Sequence, residues 1–394
     1  MVTLNQMENQ ADDIVNVYSA LEDKIFNRII KTLRDTDFSE VSQENVLLWQ
    51  MEQLNKMGVL NDNIIDYLSS ASDYTSEQLK TLIRSNGDEI VNDIDSELKR
   101  MSKRSVPVSD EVDAITSSLV NQTFEDLNNN INQTMMTTNY DNNQAMRAYQ
   151  AIVKQSTLET MTGLKTHEKA IRDNVYKLVD EGIKSDFVDK AGREWSMEAY
   201  SRMVVETTAH RTYNDLRLQR MDDFDVVTAL MSSHAAAREA CAGIQGQVVN
   251  VVPMSDPRAD SRYDSIYNHG YGEPSGTQGV NCHHNLSPFI PDVNTNNQPQ
   301  YDSEEAQENG KIQQTQRRLE RDIRRQKKRL LAAEELDDDL MQQKCKDVIR
   351  AKQKQIRELL KENDFLVRDY SREQVQSPQS SIFSEVQQTI QNRG

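Results

Sequence analysis

The sequence predicts a mainly α-helical protein with a small α+β module: an elongated helical N-terminal half, a compact loop-rich module with short strands, and a C-terminal helical hairpin. Over most of the 394 residues, apolar side chains recur at three- and four-residue steps, as on one face of a helix. Six of the 13 glycines lie between Gly243 and Gly279, and six of the eight prolines between Pro253 and Pro299. Because neither residue suits a helix interior, this window predicts loops and short strands.

Composition limits the class of protein. The net charge is −17, which disfavours nucleic-acid binding in general, so a contact with DNA would need a local basic stripe. The N-terminus has neither the basic nor the apolar region of a signal peptide, and no apolar run approaches the roughly 18 residues that span a bilayer. With three cysteines and no secretion signal, the chain is expected to be made in the cytosol without a disulfide framework.

The N-terminal half predicts successive helices. The first has an apolar face of Ile14, Val17, Tyr18, Leu21, Ile25 and Ile29. A second is expected to end at Gly58 as a C-terminal cap, and a third to begin at Thr75, with the capping-box partner Gln78, and to stop at Gly87. Two further periodic faces include Val112, Ile115, Leu119, Leu127 and Ile131, then Ile171, Val175, Leu178 and Val179.

A compact α+β module is predicted over residues 200–295. Two β-branched stretches, 225–231 and 246–254, predict short strands, with a short helix in "HAAAREACAG" between them. No strand signal of any strength precedes residue 225. Trp195 is expected in a turn that opens a helix, docked on the core.

The C-terminal region predicts two antiparallel helices. Residues 311–362 contain no Gly or Pro and hold 16 Lys/Arg against 10 Asp/Glu, a net +6 where the rest of the chain is −23. The acidic "ELDDD" divides them, and Asp339 is the expected N-cap of the second helix. The expected segments are therefore 1–140 (helical, for docking on partners), 141–300 (the module), 301–370 (the basic hairpin) and 371–394 (a polar tail, weakly helical from Ile382 to Ile390).

The stretch "GVNCHHNLSPFIP" at 279–291 raises the question of a metal site. In an extended segment Cys282 and His284 share one side, whereas His283 points the other way. Zinc takes four nitrogen or sulfur ligands, and the predicted set is Cys241, Cys282, His284 and His234. His234 and Cys241 would be roughly 10 Å apart along a straight helix, so both can reach one ion only if the helix ends before Cys241 or if His234 points along the helix axis.

Three other interpretations of these residues stay open. Hydrogen-bonded histidines and packed cysteines could hold the loop without metal, or Cys241 and Cys282 could form a disulfide. A nucleophilic Cys282–His283 pair lacks a third group to orient it. The sequence has no phosphate-binding loop, dinucleotide fingerprint or serine elbow. We therefore predict no catalytic residue, no small-molecule substrate and no enzymatic activity.

The basic segment at 316–329 has two interpretations. It could be a solvated helix face with ion pairs along it, or a cationic stripe that contacts DNA phosphates or an acidic protein surface, including this chain's own N-terminal half. The residues predicted for such a contact are Arg317, Arg318, Arg321, Arg324, Arg325, Lys327 and Lys328.

Taken in order, several motifs resemble those of the phage minor capsid protein 2 family, which is related to the MuF-like minor head proteins. The matching residues are Gly192-Arg193-Glu194-Trp195, Ser233-His234, Arg238, Cys241, Gln245-Gly246, Tyr271-Gly272, Asn281-Cys282-His283-His284, Pro288-Phe289-Ile290-Pro291, Gln316-Arg317, Glu320 and Ile323-Arg324. They cover roughly residues 190–365. The chain departs from the family's pattern at Ile244, His283 and Asp292.

The resemblance implies a structural virion protein, made in the host bacterial cytoplasm and acting in head morphogenesis inside the capsid near the portal vertex. Its implied partners are the portal and other head proteins, with packaged DNA as a further contact of the basic hairpin. Two rival functions are an enzyme delivered with the genome, a nuclease or transferase that uses the Cys/His module, and a sequence-independent DNA-binding head protein.

Overall fold

The computed structural model describes residues 2–375 and is mainly α-helical with a small α+β module, which confirms the predicted fold class. The helices are α1 (Leu4–Arg34), α2 (Val46–Asn55), α3 (Met57–Lys80), α4 (Asn86–Ser102), α5 (Asp110–Leu127), α6 (Gln133–Met136), α7 (Gln144–Met161), α8 (His167–Glu181), α9 (Met197–Asp223), α10 (Glu239–Ala242), α11 (Ser303–Glu335) and α12 (Asp339–Glu362). The strands are β1 (Lys184–Val188), β2 (Glu194–Ser196), β3 (Thr228–Met231), β4 (Val248–Asn250) and β5 (Leu286–Pro288). The weak helix predicted at 382–390 lies outside the described residues.

The chain forms two compact units, each assembled from three separate segments. The first unit contains the residues up to Ile14, Glu77–Phe124 and Arg202–Gln316. The second contains Val15–Ser76, Glu125–Ser201 and the chain from Arg317 onward. The predicted segment boundaries after residues 140, 300 and 370 are not tested by this grouping and stay predictions.

The α+β module lies in the first unit. Its antiparallel sheet has the order β4-β3-β5, and the central residue Ala229 is paired with Val249 on one side and Pro288 on the other. Both predicted strands are confirmed, and β5 adds a third from within the Gly/Pro-rich window. The buried residues of α4 recur at helical spacing and share one core with the sheet: Ile94, Leu98, Met101, Ala229, Met231, Cys241, Val249, Cys282 and Leu286.

The second unit contains a β-hairpin that the sequence analysis missed. β1 and β2 pair antiparallel around a turn in which Gly192 has φ +78°, a conformation that suits glycine. Trp195 therefore lies in a strand and not in a helix-opening turn, and its indole N–H donates to Asp189 Oδ2 at 3.3 Å. With only five and three residues, these strands carry too short a pattern to recognise in the sequence.

The C-terminal helical pair is confirmed. In the second unit, Leu319 and Ile323 of α11 pack against Ile356 of α12. The cap prediction was wrong by one residue, because Asp338 and not Asp339 accepts the hydrogen bond from the Met341 N–H. On the predicted seam of α12, Cys345, Ile356 and their neighbours at helical spacing are buried or half-buried.

Three predicted helix ends were wrong. Gly58 lies inside α3, and so does Thr75, whose hydroxyl donates to the Ser72 carbonyl. Gly87 lies inside α4, where a β-carbon would be 3.1 Å from the Leu216 side chain. Glycine therefore serves close packing at this position, and a five-residue π-helical turn, Thr81–Ser85, continues α3 into α4 without a cap.

Candidate functional site

The centre of the site is a group of two thiols and one imidazole inside the first unit. Cys241 Sγ lies 3.9 Å from Cys282 Sγ, and Cys282 Sγ lies 3.6 Å from His284 Nδ1. The three ligand atoms are all within 4.8 Å of one another. Cys241 is fully buried, and Cys282 and His284 are each 4% exposed. Two distant parts of the chain therefore converge here, as predicted.

Three elements position these side chains. Cys241 lies on the short helix α10, and the guanidinium of Arg238, at its start, donates to the Val280 carbonyl at 2.6 Å. His284 lies two residues before β5, whose pairing with β3 fixes the register of the strand. The straight helix that would have separated His234 from Cys241 does not form, because α10 begins only at Glu239.

A buried glutamine sets the orientation of the imidazole. His284 Nε2 lies 3.0 Å from Gln245 Oε1, which also accepts the His234 backbone N–H at 3.0 Å. Because the amide oxygen can only accept, we assign the proton of His284 to Nε2, which leaves a lone pair on Nδ1 facing Cys282. Gln245 is 4% exposed, and its Nε2 has no hydrogen-bond partner.

The remaining candidate histidines lie around or away from this group. The His234 ring packs edge-on against His284, with centroids 4.6 Å apart, while its Nε2 lies 3.3 Å from the His283 carbonyl. His283 points the other way, as predicted, and its Nδ1 is 2.7 Å from Glu8 Oε1. His269 is engaged elsewhere, 2.8 Å from Asp264 Oδ2.

Sequence reasoning missed residues on α9 that clamp the loop. His210 Nε2 donates to the His284 carbonyl at 2.9 Å, and Asn214 Oδ1 accepts the Leu286 N–H at 3.2 Å. Burial lowers the pKa of His210, so the ring is neutral and suited to this contact. The available signal was a His and an Asn one turn apart on the helix, which is common on any helix and specifies no partner.

The two thiols are electrostatically coupled. The hydrogen bond from Cys241 lowers the pKa of the Cys282 thiol, and the nearby His284 imidazole adds to the effect. The same bond, together with burial, raises the pKa of Cys241. The pair therefore favours one thiolate, which is the protonation state that a soft metal ion requires.

Two glycines let the loop fold tightly beside this group. A β-carbon on Gly276 would lie 1.8 Å from the Gly270 carbonyl oxygen, and one on Gly279 would lie 2.4 Å from the Glu273 carbonyl oxygen. Neither distance is sterically possible, so the backbone packing here requires glycine. Thr277, fully buried between them, places its hydroxyl 3.6 Å from Cys241 Sγ.

The predicted cationic residues divide into three groups by burial. Lys328 is buried among carboxylates of its own unit, so it is withdrawn from the surface that a DNA contact would need. Two of these carboxylates, Glu22 and Asp23, belong to the N-terminal half, so Lys328 makes the contact with this chain's own acidic residues that the second interpretation allowed. Arg324, Arg317 and Lys327 are half-buried, with Arg324 3.5 Å from Glu198. Arg318, Arg321 and Arg325 are exposed.

Fold and site together define a class: a mainly helical protein whose loop module is held by buried sulfur, imidazole and amide groups. The sequence profile of the family described as phage minor capsid protein 2 matches residues 2–361. The chain therefore belongs to this family, as its motifs predicted, and is a structural protein of a phage.

Two relatives support this assignment. The chain is 40% identical to a structural protein of Lactococcus phage LL-H over 361 residues, 91% of this chain and 97% of the relative. It is 48% identical over 120 residues to a structural protein of Lactococcus phage mv4, covering 30% of this chain and 98% of that relative. No solved structure gives a significant match. Between residues 2 and 375, no helix is both long and apolar enough to cross a bilayer.

Proposed function

We propose that the chain is a MuF-like minor head protein that lies inside the capsid at or near the portal vertex, where it acts in head morphogenesis without turning over a substrate. The observation that carries this proposal is the match to a minor capsid family over residues 2–361. The order of the Gly-Arg-Glu-Trp, Ser-His, Asn-Cys-His-His and Gln-Arg motifs supports the relation to MuF-like proteins.

Exposed apolar side chains in the second unit support docking on other head proteins. Helix α2 packs against α7, where Gln53 and Tyr149 are hydrogen-bonded, and Gln43, just before α2, lies beside Gly163, just after α7. These two helices and the residues after α7 expose large apolar side chains, which mark interaction sites when they cluster. They are Leu47, Leu48, Met51, Leu158, Met161 and Leu164, which we call the α2–α7 patch.

The burial of the thiols supports a role without turnover. Cys241, Cys282 and His284 are each at most 4% exposed, so a substrate atom cannot approach them without opening the loop. A nucleophilic cysteine acts from a partly exposed, electropositive environment. The same three residues are well placed to hold a loop rigid.

The proposal is tested in the phage genome that encodes the chain. A nonsense mutation in this gene should yield few infectious particles and aberrant heads by electron microscopy, with tails assembled normally. In intact wild-type virions the protein should resist protease and become cleavable once heads are opened. Normal heads without the protein, or cleavage in intact virions, would contradict the proposal.

Docking at the portal is tested by co-expression with the portal protein of the same phage. The double change Leu48→Asp and Met51→Asp should abolish co-purification with the portal, because it places charge in the α2–α7 patch. Glu52→Ala, an exposed change on the same helix, should leave co-purification intact. Equal recovery of both variants would place the contact elsewhere.

A second candidate function, a contact with packaged DNA, is favoured by a cationic stripe on α12. Its members recur at four-, four-, three- and four-residue steps, so they lie along one helix face, and all are exposed. They are Lys346, Arg350, Lys354, Arg357 and Lys361. A stripe of this kind contacts phosphates without reading sequence.

Salt dependence tests this contact. Replacing Arg350, Lys354 and Arg357 by Glu should weaken binding to duplex DNA and reduce the slope of log affinity against log salt by about 3. The control variant carries the same number of charge reversals, with Arg84, Lys103 and Arg104, which are also exposed, replaced by Glu. This variant should leave the slope nearly unchanged. Equal losses in both variants would show a non-local charge effect and no DNA face on α12.

A further inference from the structure

Two of the three distances among the thiols and the imidazole match the edges of a zinc tetrahedron, and the third, between Cys241 Sγ and His284 Nδ1, is at most 4.8 Å. Zinc–sulfur bonds of about 2.3 Å and zinc–nitrogen bonds of about 2.0–2.1 Å, at tetrahedral angles, separate two sulfurs by about 3.8 Å and a sulfur from a nitrogen by about 3.6 Å. The structure has 3.9 Å between Cys241 Sγ and Cys282 Sγ, and 3.6 Å between Cys282 Sγ and His284 Nδ1. A disulfide would need the two sulfurs at about 2.0 Å.

We propose that Cys241, Cys282 and His284 bind one structural Zn²⁺ ion, with His234 as the fourth ligand. This inference goes beyond the proposed virion role and does not depend on it. Two thiolates and two imidazoles are a common structural zinc set. The ligands come from α10, from the loop before β5 and from the loop after β3, so one ion would tie together segments about 50 residues apart.

The surroundings of the three donors are those of a prepared metal site. Histidine ligands of metals nearly always donate their second ring N–H to an oxygen, and His284 Nε2 does so to Gln245 Oε1 at 3.0 Å. The Thr277 hydroxyl, 3.6 Å from Cys241 Sγ, can donate to a thiolate there.

His234 is assigned as the fourth ligand because of its position and its weak present contact. Its ring centroid lies 4.6 Å from that of His284. Its Nε2 lies 3.3 Å from the His283 carbonyl, a long contact that a rotated ring could give up in exchange for a metal bond. The backbone N–H of His234 stays anchored on Gln245, so only the side chain would need to turn.

The test uses the full chain, produced in bacteria without a polyhistidine tag in zinc-supplemented medium. Mass spectrometry of the metals should find about one zinc per chain. Cys282→Ser should lose it, whereas Cys345→Ser should keep it, because Cys345 is a buried cysteine on α12 outside this group. A wild-type chain that holds no zinc would overturn the proposal.

A second measurement keeps the test valid if the cysteine variant fails to fold. Removing the metal from the wild-type chain with a chelator and adding Co²⁺ should produce a thiolate-to-cobalt absorption band and the visible spectrum of tetrahedral cobalt, both displaced by Zn²⁺. An octahedral cobalt spectrum without the thiolate band would show adventitious metal on the surface and would overturn the site.

The fourth ligand has its own comparison. His234→Gln should weaken zinc affinity at least about tenfold, since even contacts outside the ligand set are worth that much. His269→Gln is the control, because His269 contacts Asp264 and not this group. An unchanged zinc affinity in the His234 variant would overturn the assignment of this residue as a ligand.

A wild-type chain that holds no zinc and is two daltons lighter than its reduced form would show a disulfide between Cys241 and Cys282 instead.

Discussion

Lys328 is the most deeply buried cation of the basic segment, and it lies among three carboxylates of the second unit. Its ammonium is 2.5 Å from Glu22 Oε2, 2.7 Å from Glu198 Oε2 and 3.6 Å from Asp23 Oδ1. Burial opposes the charge of Lys328, but the carboxylates outweigh it and hold its pKa above the usual value. Burial also raises the pKa of Glu22, and that of Asp23 to about 7.

Replacing Lys328 by Met should strongly destabilise the chain. The change leaves the buried carboxylates of Glu22 and Asp23 without their cation, and breaking a buried ion pair from one side costs about 3–5 kcal/mol. Chemical denaturation at pH 8 should show a loss of this size, whereas Arg318→Met, at an exposed position on the same helix, should change the free energy of unfolding by less than about 0.5 kcal/mol. Equal effects would mean that the cluster does not hold the fold.

The excess of carboxylates also predicts a pH dependence. The folded-state pKa of Asp23, about 7, lies above the roughly 3.9 of an unfolded Asp. The folded chain therefore holds a proton here that the unfolded chain releases, so the stability contributed by Asp23 falls as pH rises from about 4 to 7.

Asp23→Asn should remove this dependence. The amide imitates the protonated acid, so stability should be near wild type at about pH 4 and higher than wild type at pH 8, by up to a few kcal/mol, since one pKa unit is about 1.4 kcal/mol. Asp62→Asn, at an exposed position, should leave stability near wild type at both pH values. Denaturation curves of the variant and the wild type at both pH values test this prediction. An Asp23→Asn variant less stable than the wild type at pH 8 would contradict the raised pKa of Asp23.

At the Cys/His site, the directions of side chains could be predicted where backbone geometry alone determines them. Alternation along an extended segment placed Cys282 and His284 on one side and His283 on the other, and the structure agrees. The partners Gln245, Thr277 and His210 could not be predicted, because their residue types are common and only the tertiary fold brings them to the loop. For the same reason, the internal role of Lys328 is invisible in a run of eight similar cations.

At the scale of elements, the start of α12 depends on one aspartate. Asp338 Oδ1 accepts the Met341 N–H at 3.1 Å, and its Oδ2 accepts the Tyr176 hydroxyl at 2.9 Å. Asp338→Ala should therefore cost about 1–2 kcal/mol of stability. Asp339→Ala should cost only a few tenths, because it loses only a favourable interaction with the helix dipole. Thermal unfolding of the two variants compares them directly, and the reverse order would restore Asp339 as the cap.

The loop beside the Cys/His group depends in the same way on Gly276. Gly276→Ala should destabilise the first unit by about 3 kcal/mol or more, because its β-carbon would overlap the Gly270 carbonyl. Gly243→Ala is the matched control: a β-carbon there meets nothing within 4 Å, and the change should be nearly neutral. Unfolding followed by circular dichroism tests the pair. A stable Gly276 variant would contradict the tight packing of this loop.

Helices and strands were predictable where the pattern of apolar residues was long. The apolar face of α1 and the β-branched stretches at β3 and β4 were identified correctly, because burial on one side repeats there several times. Helix ends were less predictable, since Gly58 and Gly87 both lie inside helices, and only the close packing of Gly87 against Leu216 explains a glycine there. The β1–β2 hairpin was missed because a three-residue strand has no pattern of its own.

At the scale of the whole molecule, the fold class followed from glycine and proline placement, but the two units did not. Each unit draws on three separate segments, and several helices contribute to both. Composition changes along a chain can reveal only consecutive domains, so the sequence could not predict this interleaving. It also means that truncating the chain at a sequence boundary would remove parts of both units.

The measurement that tests the account most directly is an asymmetric cryo-electron reconstruction of the phage head at its portal vertex. The account predicts density for this chain inside the capsid in contact with the portal, identifiable by the long helices α11 and α12 and by the three-stranded sheet, with a strong peak between Cys241, Cys282 and His284. Density for the chain on the outer capsid surface or along the tail would contradict its proposed place in the virion.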